Sequence, residues 1–137
     1  MPPYVPTASD PPYLRLGEEP AVKALVEAFY DAMETHEPEL ARLHALDHQG
    51  RITRHTRDRF GLFLSEWLGG PKRYSELAGH PRLRMRHAAV PIDTAMRDAW
   101  LRAMGRAFDQ CQTPAEVRSY LESKLADLAE FLRNRPS

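Results

Sequence analysis

Apolar residues recur along most of this chain at intervals of three and four. Ala21, Val22, Leu25, Val26, Phe29, Tyr30 and Met33 form one such stripe, the pattern of a helix that buries a single face. It starts near Glu18, with Pro20 in the first turn, where a missing N–H is harmless. Pro38 opens a shorter helix to about residue 46, with Leu40, Leu43 and Leu46 apolar, and His48-Gln49-Gly50 breaks it. A third stripe runs through RITRHTRDRFGLFLSEWLGG, residues 51–70. There Ile52, Thr56, Phe60, Phe63, Leu64, Trp67 and Leu68 share a face, and Gly69-Gly70-Pro71 stops the helix. After Pro91, Asp93 or Thr94 can cap a long helix whose inward residues are Met96, Trp100, Met104, Ala107 and Phe108. Thr113-Pro114 reads as the cap and first-turn proline of a last helix, striped by Val117, Leu121, Leu125, Leu128, Phe131 and Leu132. No strand period and no internal repeat is present. The expected fold class is all-α.

Two stretches resist this pattern. Residues 1–13 carry five prolines, which oppose a regular helix and suggest a loosely ordered, extended arm. The expected organisation is an arm over residues 1–16 and one domain over 17–135. The second stretch, residues 72–92, is a connection of roughly twenty residues, long enough to signal function. It holds GHPRLRMRHAAVPI, where Arg82, Arg84 and Arg86 alternate with Leu83 and Met85 and the run closes on His87. Period two alone suggests a strand, but the flanks are helical, and a short helix at 81–87 is the better expectation.

Composition narrows the function classes. The chain has 137 residues, with 19 Lys plus Arg against 19 Asp plus Glu. One domain is expected, and the charge balance does not argue for nucleic acid or a membrane. A single cysteine, Cys111, precludes an internal disulfide and reads as a small core residue. MPPYVPTASDPPY lacks the basic and apolar regions of a secretory signal, and no apolar run approaches the ~20 residues of a membrane helix. A soluble, cytoplasmic domain is the expectation.

Six histidines are candidates for chemistry: His36, His44, His48, His55, His80 and His87. None is paired at the spacing of a helical zinc motif. His44 and His48 lie four apart with no carboxylate or cysteine to complete a set, and His55 sits among arginines, facing solvent. Gly69-Gly70 is not followed by GK[ST] and is no phosphate loop. His87 differs because the wholly apolar AAVPI follows it. A neutral imidazole in an apolar wall is a good ligand for iron, and the arginines before it are donors for carboxylates at the rim of such a wall. Tyr30 and Trp100 fall at core-facing positions, and each keeps a polar tip that needs a partner.

Taken together, these pieces resemble the group II truncated haemoglobins. Phe29-Tyr30, FLSEWLGGP at 63–71, Tyr74, GHPRLRMRH at 79–87 and RDAWL at 97–101 stand in that family's order. The likeness runs from about Gly17 to Phe108, and the last helix matches in pattern only. The resemblance implies a short globin, helices packed two-over-two around haem b. It implies His87 as the iron ligand, with Trp100 and Tyr30 reaching the distal side. Thr56 takes the place where many globins keep a distal histidine, and Phe60 and Phe63 face the haem from the same helix. Tyr74 with Arg84 or Arg86 anchors the propionates, and Leu83, Val90 and Ile92 wall the proximal side. Val90 departs from the family, which usually has phenylalanine there. One further distal position stays open: counting back from Trp67 favours His48, with His44 and Asp47 as alternatives.

The implied function is reversible binding of dioxygen, nitric oxide or similar diatomics. Nitric oxide or peroxide detoxification would draw electrons from a separate reductase, since no flavin or nicotinamide domain is present. A haem-based gas or redox sensor, and a helical interaction module without haem, are the alternatives. Monomer and homodimer are both open.

Overall fold

The computed structural model describes residues 3–136. Eight helices lie among them: α1 (Pro12–Leu16), α2 (Glu18–His36), α3 (Pro38–Ala41), α4 (Arg54–Trp67), α5 (Arg73–Ala78), α6 (Leu83–His87), α7 (Thr94–Gln110) and α8 (Ala115–Leu132). The described residues hold no strand, only two isolated bridges, Thr7–Asp10 and Leu46–Ile52. The all-α expectation holds, and the long stripes at 21–33, 52–68, 96–108 and 117–132 become α2, α4, α7 and α8.

Packing follows from what those stripes bury. α2 lies chiefly against α7 and then α4, and α7 also packs on α8. Phe29 and Met33 on α2 and Ala103 and Ala107 on α7 are fully buried. Ala99, Ala103 and Ala107 recur every four residues on one face of α7, so α2 meets no bulk there and the two helices close together. Local chemistry sets the ends. The Asp93 side chain accepts from the Met96 N–H at 2.8 Å, as an N-cap should. Thr53 does the same for α4, accepting from Thr56 N–H at 3.2 Å. At α8 the expected Thr113 cap is absent, and Pro114 itself takes the cap position with no side-chain bond.

Two expectations change. The connection over 72–92 holds two short helices, α5 and α6. α6 begins at a left-handed Arg82 (φ 48°), whose N–H donates to His80 Nδ1 at 3.0 Å, so that histidine ends up as a local cap. The N-terminal arm is also more ordered than its prolines suggest. Pro11 and Pro12 occupy the N-cap and first-turn positions of α1, where proline is tolerated. Tyr4 and Tyr13 are buried; Tyr4 packs edge-on to Tyr120 of α8 at 5.6 Å, and Tyr13 N–H donates to the Leu68 carbonyl at 3.0 Å.

The arm lands on the glycine pair that ends α4. A Cβ on Gly70 would lie 2.6 Å from the Tyr13 ring and 2.8 Å from the Ser65 carbonyl. The pair therefore stops a helix and also admits the arm. Gly70→Ala should force the arm off its seat and lower stability by about 1–3 kcal/mol, seen as a reduced Tm. An unchanged Tm would mean the arm adds nothing to the fold.

Candidate functional site

Beside the α2–α7 pair lies a cleft in two adjoining parts, about 570 and 230 Å³. His44, Arg86, His87, Trp100, Leu128 and Leu132 line both. The larger part is also walled by Tyr30, Thr56, Phe60, Phe63, Tyr74 and Leu83. The smaller is almost wholly apolar elsewhere, with Leu40, Leu43, Val90, Ile92 and Met96. The larger space alone falls in the roughly 300–1,000 Å³ range of cofactor sites.

The aromatic wall is continuous. Phe29 meets the Trp100 ring edge-on at 5.2 Å, and Tyr30 meets Phe60 at 5.8 Å and His44 at 5.7 Å. Phe63 in turn meets Tyr74 at 5.8 Å. The Tyr30 hydroxyl has no hydrogen-bond partner among the described residues; burial pushes its pKa well above the usual value, so it stays protonated and can donate. Trp100, half-buried, presents its indole to the same space.

His87 is held in one tautomer. Its Nδ1 lies 2.7 Å from the Leu83 carbonyl, and a carbonyl only accepts, so Nδ1 carries the proton. The Nε2 lone pair is left for the cleft, in the arrangement by which proteins orient an imidazole toward a metal. A second anchor lies outside the cleft. Asn134, just past α8, donates from Nδ2 to the carbonyls of His87 (3.2 Å) and Val90 (2.9 Å). Its Oδ1 accepts from Ile92 N–H at 2.8 Å, and its own N–H donates to the Ile92 carbonyl at 2.9 Å. The C-terminal end thus clasps the loop that follows the histidine.

His44 repeats the tautomer logic on the opposite wall, with Nδ1 3.0 Å from the Leu40 carbonyl. Burial pushes its pKa below the ordinary imidazole value. Of His44, Asp47 and His48, only His44 lines the cleft. His48 does not line the cleft. α3 ends at Ala41, and residues 46–52 form a tight turn closed by the Leu46–Ile52 bridge. Asp47 caps that turn by accepting from Gln49 and Arg51 N–H at 2.8 and 3.0 Å. Both Asp47 and His48 are therefore exposed.

The arginines divide in the same way. Arg86 lines the cleft, whereas the Arg84 guanidinium sits 4.9 Å over the Phe131 ring and is not in its wall. Residues two apart on a helix point to different sides. Arg59 and His55 add donors at the edge of the larger part, and His55 is solvent-exposed as expected. Arg59 lies one turn beyond His55 on α4, and that spacing was the available signal for both. Leu128 and Leu132 join the wall from the far end of the chain, as the final stripe permits. Nothing local marks Asn134.

These features suit a flat, apolar group with acidic edges: aromatic and aliphatic walls, one unprotonated ring nitrogen facing inward, and cations at the mouth. An iron porphyrin has that chemistry.

Comparison with known proteins gives the same direction. The bacterial-like globin family profile matches residues 12–134. The chain is 36% identical over 124 residues to the group 2 truncated hemoglobin YjbI of Bacillus subtilis (strain 168), covering 90% of this chain and 89% of that protein. Among solved structures it resembles the group II truncated hemoglobin of Bacillus anthracis, with TM-score 0.84 and 30% identity over 98% of this chain and 96% of that one. It also resembles the hemoglobin of Chloroflexus aurantiacus, with TM-score 0.82 and 37% identity over 91% and 98% of the two chains.

The burial of His44 has a measurable consequence. Its folded pKa lies below the unfolded value of about 6.5. As pH falls through 6.5 the unfolded chain takes up a proton that the folded chain refuses, and stability falls. His44→Gln should remove that component, so the loss of Tm between pH 7 and pH 5 becomes smaller. An identical pH profile would show that His44 protonates as freely in the folded chain as in the unfolded one.

Proposed function

The chain belongs to the bacterial-like globin family as a group II truncated haemoglobin, and on that footing we propose that it holds haem b in the cleft and reversibly binds dioxygen and similar diatomic gases there. The observation that carries this reading is His87: one imidazole, its N–H pinned to Leu83, its lone pair open to an apolar cleft that Tyr30 and Trp100 also line. Bound there, haem supplies an iron centre with a coordination position for a small ligand.

The residues divide the work. His87 Nε2 would hold the iron, and the Leu83 carbonyl would raise its basicity by accepting from Nδ1–H. Arg86, Arg59 and Tyr74 are placed to meet the propionates, the arginines by charge-assisted bonds. Phe60, Phe63, Leu83, Val90 and Ile92 exclude water and grip the ring faces. On the distal side the Trp100 N–H and Tyr30 O–H donate to the partial negative charge of a polarised diatomic. In a water-poor pocket each bond contributes about 1 kcal/mol or more. Thr56 is small enough to leave that space open. Neutral His44, whose Nδ1 proton is held by the Leu40 carbonyl, keeps an Nε2 lone pair that accepts rather than donates.

Slow gas release follows, since several donors must let go together. Turnover of nitric oxide or peroxide at this site would draw electrons from a separate reductase.

Titration of the purified protein with haemin should give a Soret band saturating at one haem per chain; no band overturns the reading. His87→Ala should abolish the iron–histidine vibration of the reduced form. Trp100→Phe should speed dioxygen release roughly fivefold or more, the factor set by one lost hydrogen bond. An unaltered rate would mean the indole does not reach the ligand.

A further inference from the structure

Arg57 is the only buried charged side chain among the described residues, 3% exposed. It follows Thr56 on α4 but faces α2 instead of the cleft. Its Nε donates to the Ile52 carbonyl at 3.0 Å. One terminal nitrogen donates to Glu27 and Asp31 at 3.0 and 2.9 Å, the other to Glu34 at 2.9 Å. Those three carboxylates lie on α2 within a turn or so of Tyr30, on both sides of it. The guanidinium carbon is 5.6 Å from the centre of the Tyr30 ring.

As a helix bolt alone this is a poor design. Burying a charge costs desolvation that an apolar side chain of similar size avoids. Burial indeed opposes the charge, and Asp31, Glu34 and Glu27 outweigh it, holding the Arg57 pKa above its ordinary value. The neighbouring phenol explains the expense. Tyr30 has no hydrogen bond to fix its hydroxyl, so its place depends on what packs around the ring. Phe29, Phe60 and His44 supply apolar and edge contacts, and Arg57 is the one neighbour tied rigidly to both helices. A cation near the ring also draws electron density from it, which strengthens the O–H as a donor.

We propose that Arg57 is a positioning residue for Tyr30: it locks the α2 turn bearing the tyrosine against α4, and so sets how strongly the hydroxyl donates to a ligand in the cleft. This rests on the haem reading above.

Two variants test it from opposite sides. Arg57→Lys keeps a charge but cannot serve three carboxylates and a carbonyl at once. Glu34→Gln loosens the clamp with Arg57 intact. Each is made in the wild-type, Tyr30→Phe and Trp100→Phe backgrounds and loaded with haem. Dioxygen release and the C–O stretch of the carbon monoxide complex are then measured beside Tm. With Tyr30 present, both variants should speed release about five- to tenfold and raise the C–O frequency. With Phe at position 30 neither should change, and with Phe at position 100 both effects should persist. Equal effects with and without Tyr30 overturn the proposal, as does a lowered Tm with release and frequency untouched. Failure of the wild-type chain to form a Soret band would instead sink the haem reading, and this proposal with it.

Discussion

The close crossing of α2 and α7 is the constraint from which the rest follows. The buried alanines at 99, 103 and 107 leave α7 without bulk on the face toward α2. Phe29 and Met33 fill the seam completely. Large residues stand at the end of the crossing, where Phe60 meets Tyr30 and Trp100 edge-on and stacks against Phe63. These rings wall the larger part of the cleft. So few helices cannot surround a flat cofactor with helix alone. The short α5 and α6 and the loop after His87 complete the wall, and they need external ties because so short a helix has little stability of its own.

Those ties are polar. Glu66 receives both the N–H and the hydroxyl of Ser75, fastening α5 to α4. Arg97 pairs with Glu130 across α7 and α8. Exposed pairs of this kind contribute little singly. Their role is geometric: Glu66 holds α5 on α4, and Arg97 joins α7 to α8. The Arg57 cluster differs in being buried, and a buried cation with three carboxylate partners specifies one register between α2 and α4.

Much of this was legible in the sequence. Apolar period shows which faces are buried, so α2, α4, α7 and α8 could be read directly, as could Asp93 as a cap. The GHPRLRMRH run drew attention to His87 because apolar residues follow it, and Tyr30 and Trp100 because a polar tip sits on a core face. The failures share a cause. Choosing His48 over His44 meant counting through a connection, and α3 stops about a turn early, so the count slips. Choosing between Arg84 and Arg86 needed the phase of a five-residue helix. The five prolines pointed to a loose arm, yet two of them sit where a short helix accepts proline, and the Gly69-Gly70 pair that looked like a mere stop is the seat that arm needs. Arg57 looked like one more surface cation in an arginine-rich stretch, because the acids that bury it belong to another helix. Asn134 has no local signal at all, since its partners lie more than forty residues earlier.

That last residue gives the C-terminus an unexpected office. The histidine proposed to hold iron sits on five residues of helix, and the loop behind it is gripped by an asparagine just past α8. A substitution or nick at Asn134 therefore bears on the placement of the loop behind the histidine proposed to hold iron.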